Sequence, residues 1–334
     1  MKVVSIANLK GGVGKSTLTM VLGEFLAFRR GYKVLLIDMD SQANLSTMMI
    51  RGADIMTQRD KGRTIYHLLK EVLAGRNPSI QNFVADPPLL VSNIAGAGRG
   101  AFADGPARFE SPKMVVSCPD FAQIDQDLTE MWRKGKPYPQ DLDISLARAL
   151  SQCADKFDYV LIDCPPGLTV FTNTALVASD YFIAPVVPEP LGVQGVDPLQ
   201  RRVAQLKQVT AGTAFPCKAD YAGAILNSVQ PYRKTHQEYG GRIYGGDLVA
   251  KLRPFHWYLP FCQTLRRVSD YYANVAAGRM PLYNSLYDKY RSAHLTSNPK
   301  NAQVYHRGQS DTDRYLLIER IDELVKEFEG KCPP

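Results

Sequence analysis

Residues 9–17 read Leu9-Lys10-Gly11-Gly12-Val13-Gly14-Lys15-Ser16-Thr17, directly after the apolar run Val3-Val4-Ser5-Ile6-Ala7. That order is a strand, then a glycine loop, then a helix opened by Lys15 and Ser16. A loop of this kind turns backbone N–H groups inward beside a helix N-terminus, which suits a chain of phosphates. The glycines leave room for the backbone to approach the ligand. Lys15 can reach the β- and γ-phosphates, and the Ser16 hydroxyl can ligate Mg²⁺. The general template wants glycine six residues before Lys15, but Leu9 stands there, with a second lysine, Lys10, beside it. Two lysines in one phosphate loop indicate more negative charge than one site needs to neutralise alone.

Lys10-Gly11-Gly12-Val13-Gly14-Lys15-Ser16 resembles the deviant Walker A motif of the ParA/MinD family of ATPases. Val34-Leu35-Leu36-Ile37-Asp38-Met39-Asp40-Ser41-Gln42-Ala43-Asn44 is similar to the family's second motif, an apolar strand ending in Asp-x-Asp. Ser41 and Ala43 stand where the ParA branch usually has Pro and Gly. Asp158-Tyr159-Val160-Leu161-Ile162-Asp163-Cys164-Pro165-Pro166-Gly167 resembles the Walker B strand, and the segment from Thr174 to Val186 is ParA-like. Ile225-Leu226-Asn227 is similar to the segment whose asparagine meets the adenine, and Pro260-Phe261 resembles a segment near the base. The motifs follow one another in the family's order over roughly Met1 to Tyr283.

The resemblance implies a P-loop NTPase fold of α/β class: a mainly parallel sheet with helices on both faces, in the nitrogenase-reductase-like topology. It also implies roles for residues. Gly11, Gly12, Val13 and Gly14 would cradle the phosphates, Lys15 neutralise them, and Thr17 touch the α-phosphate. Ser16, Asp163 and Asp38 would form the Mg²⁺ shell, and Asp40 would polarise the attacking water. Asn227 and Pro260 would meet the base. Two simpler readings stay open: Asp38 as a structural strand-end aspartate, and Asn227 as a turn residue. Lys10 would reach the partner's phosphates across a nucleotide-sandwich homodimer, like an arginine finger supplied in trans.

The chain has 334 residues, 45% of them hydrophobic and 22% charged, the composition of a globular protein. No run of 18 apolar residues is present, so no membrane span is expected. Nor does the N-terminus show a signal-peptide pattern. The six cysteines form no C-x-x-C pair, which predicts reduced thiols in a cytosol. Residues 201–300 hold 15 Lys or Arg against 5 Asp or Glu, a net of +10, whereas the whole chain is +7. This excess is either a surface for a polyanion or a solvated face balanced by acidic regions nearby. Arg201, Arg202, Lys207, Arg233, Lys234, Arg253, Arg266 and Arg267 are the candidate DNA contacts.

Periodicity predicts strands over 2–8, 33–38, 114–117, 158–163, 181–187 and 221–226, and helices over 16–30, 64–73 and 144–157. Asn8, Asp38 and Asp163 close three of those strands, where parallel sheets bind ligands. The division expected is a P-loop domain over 1–290, with a Gly/Ala/Pro-rich insertion near 85–112. Residues 291–334 would be a polar linker and a terminal helix, 314–328, packed on the core. That helix is acidic on its polar face, whereas a membrane-surface helix needs basic residues there.

The leading expectation is a ParA-type ATPase in the cytoplasm, on the nucleoid. It would bind DNA nonspecifically as an ATP dimer and be stimulated by a ParB-like or cargo-adaptor protein. The chain begins in a strand, so site-specific operator binding is not expected. A MinD-like membrane ATPase and a metabolic ligase with the same loop are the alternatives. An iron–sulfur carrier lacks its clustered cysteines here, and a tyrosine kinase its C-terminal tyrosine cluster.

Overall fold

The computed structural model describes residues 1–50, 52–85, 112–135, 141–230, 233–256, 321 and 323–334. Six strands form one sheet: β1 (Lys2–Ile6), β2 (Val34–Asp38), β3 (Lys113–Val115), β4 (Tyr159–Asp163), β5 (Tyr181–Val186) and β6 (Asp220–Leu226). Their order is β3-β2-β4-β1-β5-β6, and every pairing is parallel. All five residues of β2 and of β4 are buried, the pattern of strands covered on both faces.

Successive side chains of a strand point to opposite faces, and the core divides accordingly. Val3, Leu35, Ile37, Val160 and Ile162 belong to one apolar cluster, and Val4, Ile6, Leu36 and Leu161 to the other. The second cluster is closed by α1 (Lys15–Arg30), whose Leu18, Val21, Leu22, Phe25 and Leu26 are fully buried. Gly31, at φ 75°, ends α1, and the Tyr32 N–H returns to the Leu26 carbonyl. Helices α2 (Asn44–Met49) and α3 (Gly52–Asp60) follow β2, and α4 (Ile65–Leu73) precedes β3. After β3 come α5 (Gln123–Arg133) and α6 (Asp141–Ser151), and α7 (Val170–Ala178) joins β4 to β5. The short α8 (Pro190–Val193) and the longer α9 (Val196–Thr210) lie between β5 and β6. Beyond β6 are α10 (Lys234–Gly245) and α11 (Val249–Leu252). Buried residues of α4, α6, α7 and α9 fill the first cluster.

A last helix, α12, spans residues 323–331. It lies on the α1 side, with Leu324, Val325 and Phe328 buried. The Tyr159 hydroxyl donates to the Cys332 carbonyl at 2.9 Å, and Arg30 pairs with Glu329 at 3.0 Å. Both Glu327 carboxylate oxygens accept from the His256 N–H. Two acidic residues of α12 are thus tied to the body of the protein. Among the described residues no helix is long and apolar enough to cross a membrane.

Helix boundaries differ from the sequence pattern in one place that matters. The helix expected over 144–157 begins at Asp141 and ends at Ser151. Turn bonds from Cys153 to Leu150 and from Lys156 to Cys153 carry the chain into β4 instead. The expected insertion near 85–112 falls almost wholly outside the described residues, as do the linker and the start of the terminal helix.

Candidate nucleotide site

The carboxyl ends of β1, β2 and β4 meet at one place, because β1 lies between β4 and β5 while its chain continues into β2. Asp38 and Asp163 stand side by side in the β2–β4 register, and Ile6 of β1 pairs with Asp163. A cavity of about 450 Å³ opens there. Its walls include Gly11, Gly12, Gly14, Lys15, Ser16, Thr17, Asp40 and Asn227. Gln42, Asn44, Met48, Pro166 and Ser228 complete them. Sequence reading missed these last five. Gln42, Asn44 and Pro166 stand inside the two strand-end motifs, so the signal was there although no site role was read for them.

The loop has the local geometry of a phosphate cradle. Gly12 and Gly14 have φ of 74° and 86°, left-handed values that a residue with a Cβ rarely takes. Gly14 also leaves the space that Asn227 fills: a Cβ on it would lie 1.9 Å from the Asn227 amide nitrogen. Lys15 is buried, and its ammonium donates to the Lys10 carbonyl at 3.2 Å. Burial pulls the Lys15 pKa down, opposed chiefly by the charge of Asp163.

Asp163 is fully buried, and neither carboxylate oxygen has a hydrogen-bond partner. Burial, and then the charge of Asp38, push its pKa well up. The Ser16 hydroxyl and the Lys15 ammonium lie near enough to oppose that shift. An orphaned buried carboxylate beside a serine hydroxyl is a donor set made for a hard divalent cation. The residues present therefore fit Mg²⁺, held by Ser16 and Asp163.

Asp38, expected in the metal shell, accepts protein donors at both carboxylate oxygens. One of its oxygens accepts from the Ser46 N–H at 2.8 Å and the Ser46 hydroxyl at 2.7 Å. The other accepts from the Asp40 N–H at 3.1 Å. With both oxygens taken by protein donors, Asp38 holds the loop that carries Asp40. Burial raises its pKa to about 6 against those three bonds. Asn227, the expected adenine contact, stands on the cavity wall. Its amide donates to the Val13 carbonyl at 2.7 Å, and its oxygen accepts from the Ser228 N–H. It ties β6 to the phosphate loop. Pro260 and Phe261 lie outside the described residues.

Lys10 is not part of the cavity wall. Its ammonium lies 4.0 Å from Glu189, which also accepts from Arg233 at 2.7 Å. The Lys10 N–H is fixed by Asn8, whose amide donates to the Pro185 carbonyl. Of the candidate DNA contacts, Arg201 and Lys234 are exposed. Arg202 is engaged by Asn173 and Gln205, Lys207 by Asp220, and Arg233 by Glu189. Arg253 lines a separate cavity, beside the start of β6. Arg266 and Arg267 lie outside the described residues.

A family model for AAA domains, AAA_31, matches residues 1–213. The chain belongs to the ParA/MinD-type P-loop ATPase family. The chromosome partitioning protein ParA of Caulobacter vibrioides is 28% identical to this ParA-type chain over 263 residues, 76% of this chain and 82% of that protein. The virulence plasmid ParA family protein pGP5-D of Chlamydia psittaci is 29% identical over 201 residues, 60% of this chain. The match spans 62% of the Chlamydia protein's own length. Two solved structures share the fold. A plasmid partition protein from Borrelia burgdorferi bound to AMPPNP has a TM-score of 0.55 at 21% identity, covering 99% of this chain and 98% of that one. Cobyrinic acid a,c-diamide synthase from Mycobacterium smegmatis, with ADP and magnesium, has a TM-score of 0.56 at 21% identity, covering 82% and 93%.

Proposed function

We propose that this chain is a ParA-type ATPase that binds ATP with Mg²⁺, pairs as a nucleotide-sandwich dimer and binds DNA without sequence preference. Slow hydrolysis, stimulated by a ParB-like or cargo-adaptor protein, then drives partition or positioning of a plasmid, a chromosome or a protein cargo. The observation that carries this reading is the split between the two lysines of one loop. Lys15 lines its own cavity, whereas Lys10 stands outside it. A cation in the phosphate loop that does not serve its own site is available to a second copy. The burial of the apolar side of α12 favours this reading over a membrane-surface ATPase. On this reading the protein acts in the cytoplasm, on the nucleoid.

The mechanism follows from the site. Hydrolysis needs the phosphates held, their charge neutralised and a water placed in line. The backbone of Gly11 to Gly14 holds the phosphates, and Lys15 neutralises the β- and γ-oxygens. Ser16 and Asp163 would hold Mg²⁺, which would offset the charge developing on those oxygens. Asp40 orients the water, and Asp38 fixes Asp40.

Stability against pH tests the cation site. Burial raises the folded pKa of Asp38 from 3.8 to about 6, and that of Asp163 well above the ordinary carboxylate range. A raised carboxylate pKa means that the folded state binds more protons than the unfolded one in that interval. The nucleotide-free protein therefore loses stability as pH rises from about 4 through about 6, with Asp163 contributing in the same direction. Calorimetric melting should show the transition temperature falling between about pH 4 and 6 without nucleotide, and a flatter profile with ATP and Mg²⁺. Equal slopes in both conditions would contradict a cation at Asp163.

The DNA reading is tested by mobility shift. ATP should promote binding and ADP should not, with equal affinity for unrelated sequences. A dimer doubles the contacts on one face without any new residue. Log affinity should fall with log salt by roughly 0.9 per phosphate contacted. Replacing Arg201 and Lys234 by alanine should reduce that slope while leaving ATP binding intact. If the ATP-bound protein ignores DNA at low salt, the partition reading fails and a non-DNA cargo role moves ahead.

A further inference from the structure

Asp40 sits in a closed circuit of hydrogen bonds that extends beyond the phosphate site. Its N–H donates to Asp38 at 3.1 Å. Asp38 accepts from the Ser46 hydroxyl at 2.7 Å, and Ser46 Oγ in turn accepts from the Ser117 N–H at 2.9 Å. The Ser117 hydroxyl closes the ring by donating to the Asp40 carbonyl at 2.7 Å. Asp38, Ser46 and Ser117 are fully buried, and Asp40 is 6% exposed. The ring joins the end of β2, the start of α2 and the loop after β3. The peptide groups on both sides of Asp40 are thereby held. Its carboxylate, with one oxygen accepting from the Gln42 N–H at 3.0 Å, is left on the cavity wall.

We propose that Ser117, acting with Ser46, is a positioning residue for Asp40: it touches no nucleotide and sets the rate of hydrolysis by fixing where the Asp40 carboxylate stands. The proposal rests on Asp40 acting on the attacking water. Ser117 is well placed for such a role because its removal leaves the fold supported. The Asp40 carbonyl keeps a second donor, the Ala43 N–H at 2.9 Å, and the Ser117 N–H keeps Ser46. What is lost is the anchor to β3, on the far side of β2 from the phosphate loop. Misplacing a catalytic group by about an ångström costs on the order of a hundredfold in rate. A Ser117→Ala variant should therefore hydrolyse ATP about ten- to a hundredfold more slowly in single-turnover assays, with the Kd for a fluorescent ATP analogue unchanged.

The deciding experiment is a double-mutant cycle in the full chain. Ser117→Ala, Asp40→Ala and the double variant are compared for single-turnover hydrolysis, with ATP-analogue Kd and melting temperature measured alongside. In a positioning role, Ser117→Ala slows the wild-type background and adds nothing once Asp40 is alanine. Ser117→Thr, which keeps the hydroxyl, restores most of the rate. If Ser117→Ala does not fold, Ser46→Ala is read by the same cycle. Equal slowing by Ser117→Ala in both backgrounds, or a full rate for Ser117→Ala beside an impaired Asp40→Ala, overturns the role of Ser117 alone. A full rate for Asp40→Ala overturns the underlying reading of Asp40.

Discussion

Lys15→Ala should abolish ATP binding at micromolar nucleotide. The ammonium is buried at the cavity wall, and burial lowers its pKa, so the empty site already holds it at a cost. That cost is recovered only when a triphosphate supplies the missing negative charge. Removing one member of a buried, hydrogen-bonded charge pair costs roughly 2 to 5 kcal/mol. On the usual scale this is about thirty- to several-thousandfold in Kd. The nucleotide-free variant should melt within a few degrees of wild type, because the substitution removes a desolvated charge and one 3.2 Å bond to the Lys10 carbonyl. Titration calorimetry with ATP and Mg²⁺ checks the first point, and thermal melting the second. A Kd within threefold of wild type would remove Lys15 from the phosphate site.

How much of this was legible in the sequence follows from the range of the interactions. The phosphate loop, the strand ends and the parallel sheet are written in short, contiguous signals. Glycine spacing gives the loop, and unbroken apolar runs give β2, β4 and β5. Residues that act through distant partners are not written that way. Asp38 reads as a metal ligand in its motif, and only the fold brings Ser46 to both its bonds from eight positions away. Asn227 reads as a base contact, and only the fold shows the bond its amide also makes to Val13, 214 positions distant. Ser117 carries no motif, since its partner Asp40 lies 77 positions earlier. The basic third of the chain was visible as charge. That Arg202, Lys207 and Arg233 already have polar partners was not, because pairing depends on which elements pack together. Helices α2, α3, α5, α7, α8, α9, α10 and α11 were also unread. α3 lacks a clear apolar stripe, and the Asn44–Met49 helix is too short for a period to show.

Lys10→Ala separates binding from hydrolysis. Lys10 lies outside its own cavity, 4.0 Å from Glu189, with its backbone fixed through Asn8. Removing the side chain therefore leaves Lys15, Ser16 and Asp163 in place, and monomeric ATP binding should stay within a few fold of wild type. The sandwich is different. Two facing triphosphates repel each other unless each receives a cation from the opposite chain. A finger residue of this kind contributes on the order of 10³ or more to phosphoryl transfer. Steady-state phosphate release by the variant should accordingly drop to background. A variant that hydrolyses at the wild-type rate would place the second lysine among ordinary surface charges.

The central claim is that ATP makes a dimer through Lys10, and sedimentation velocity tests it most directly. Wild-type protein with Mg²⁺ and a slowly hydrolysed ATP analogue should sediment as a species of twice the mass, and with ADP as a monomer. Lys10→Ala should stay monomeric in both. A wild-type protein that remains monomeric with the analogue at saturating concentration, or a Lys10→Ala variant that dimerises as well as wild type, would contradict the account.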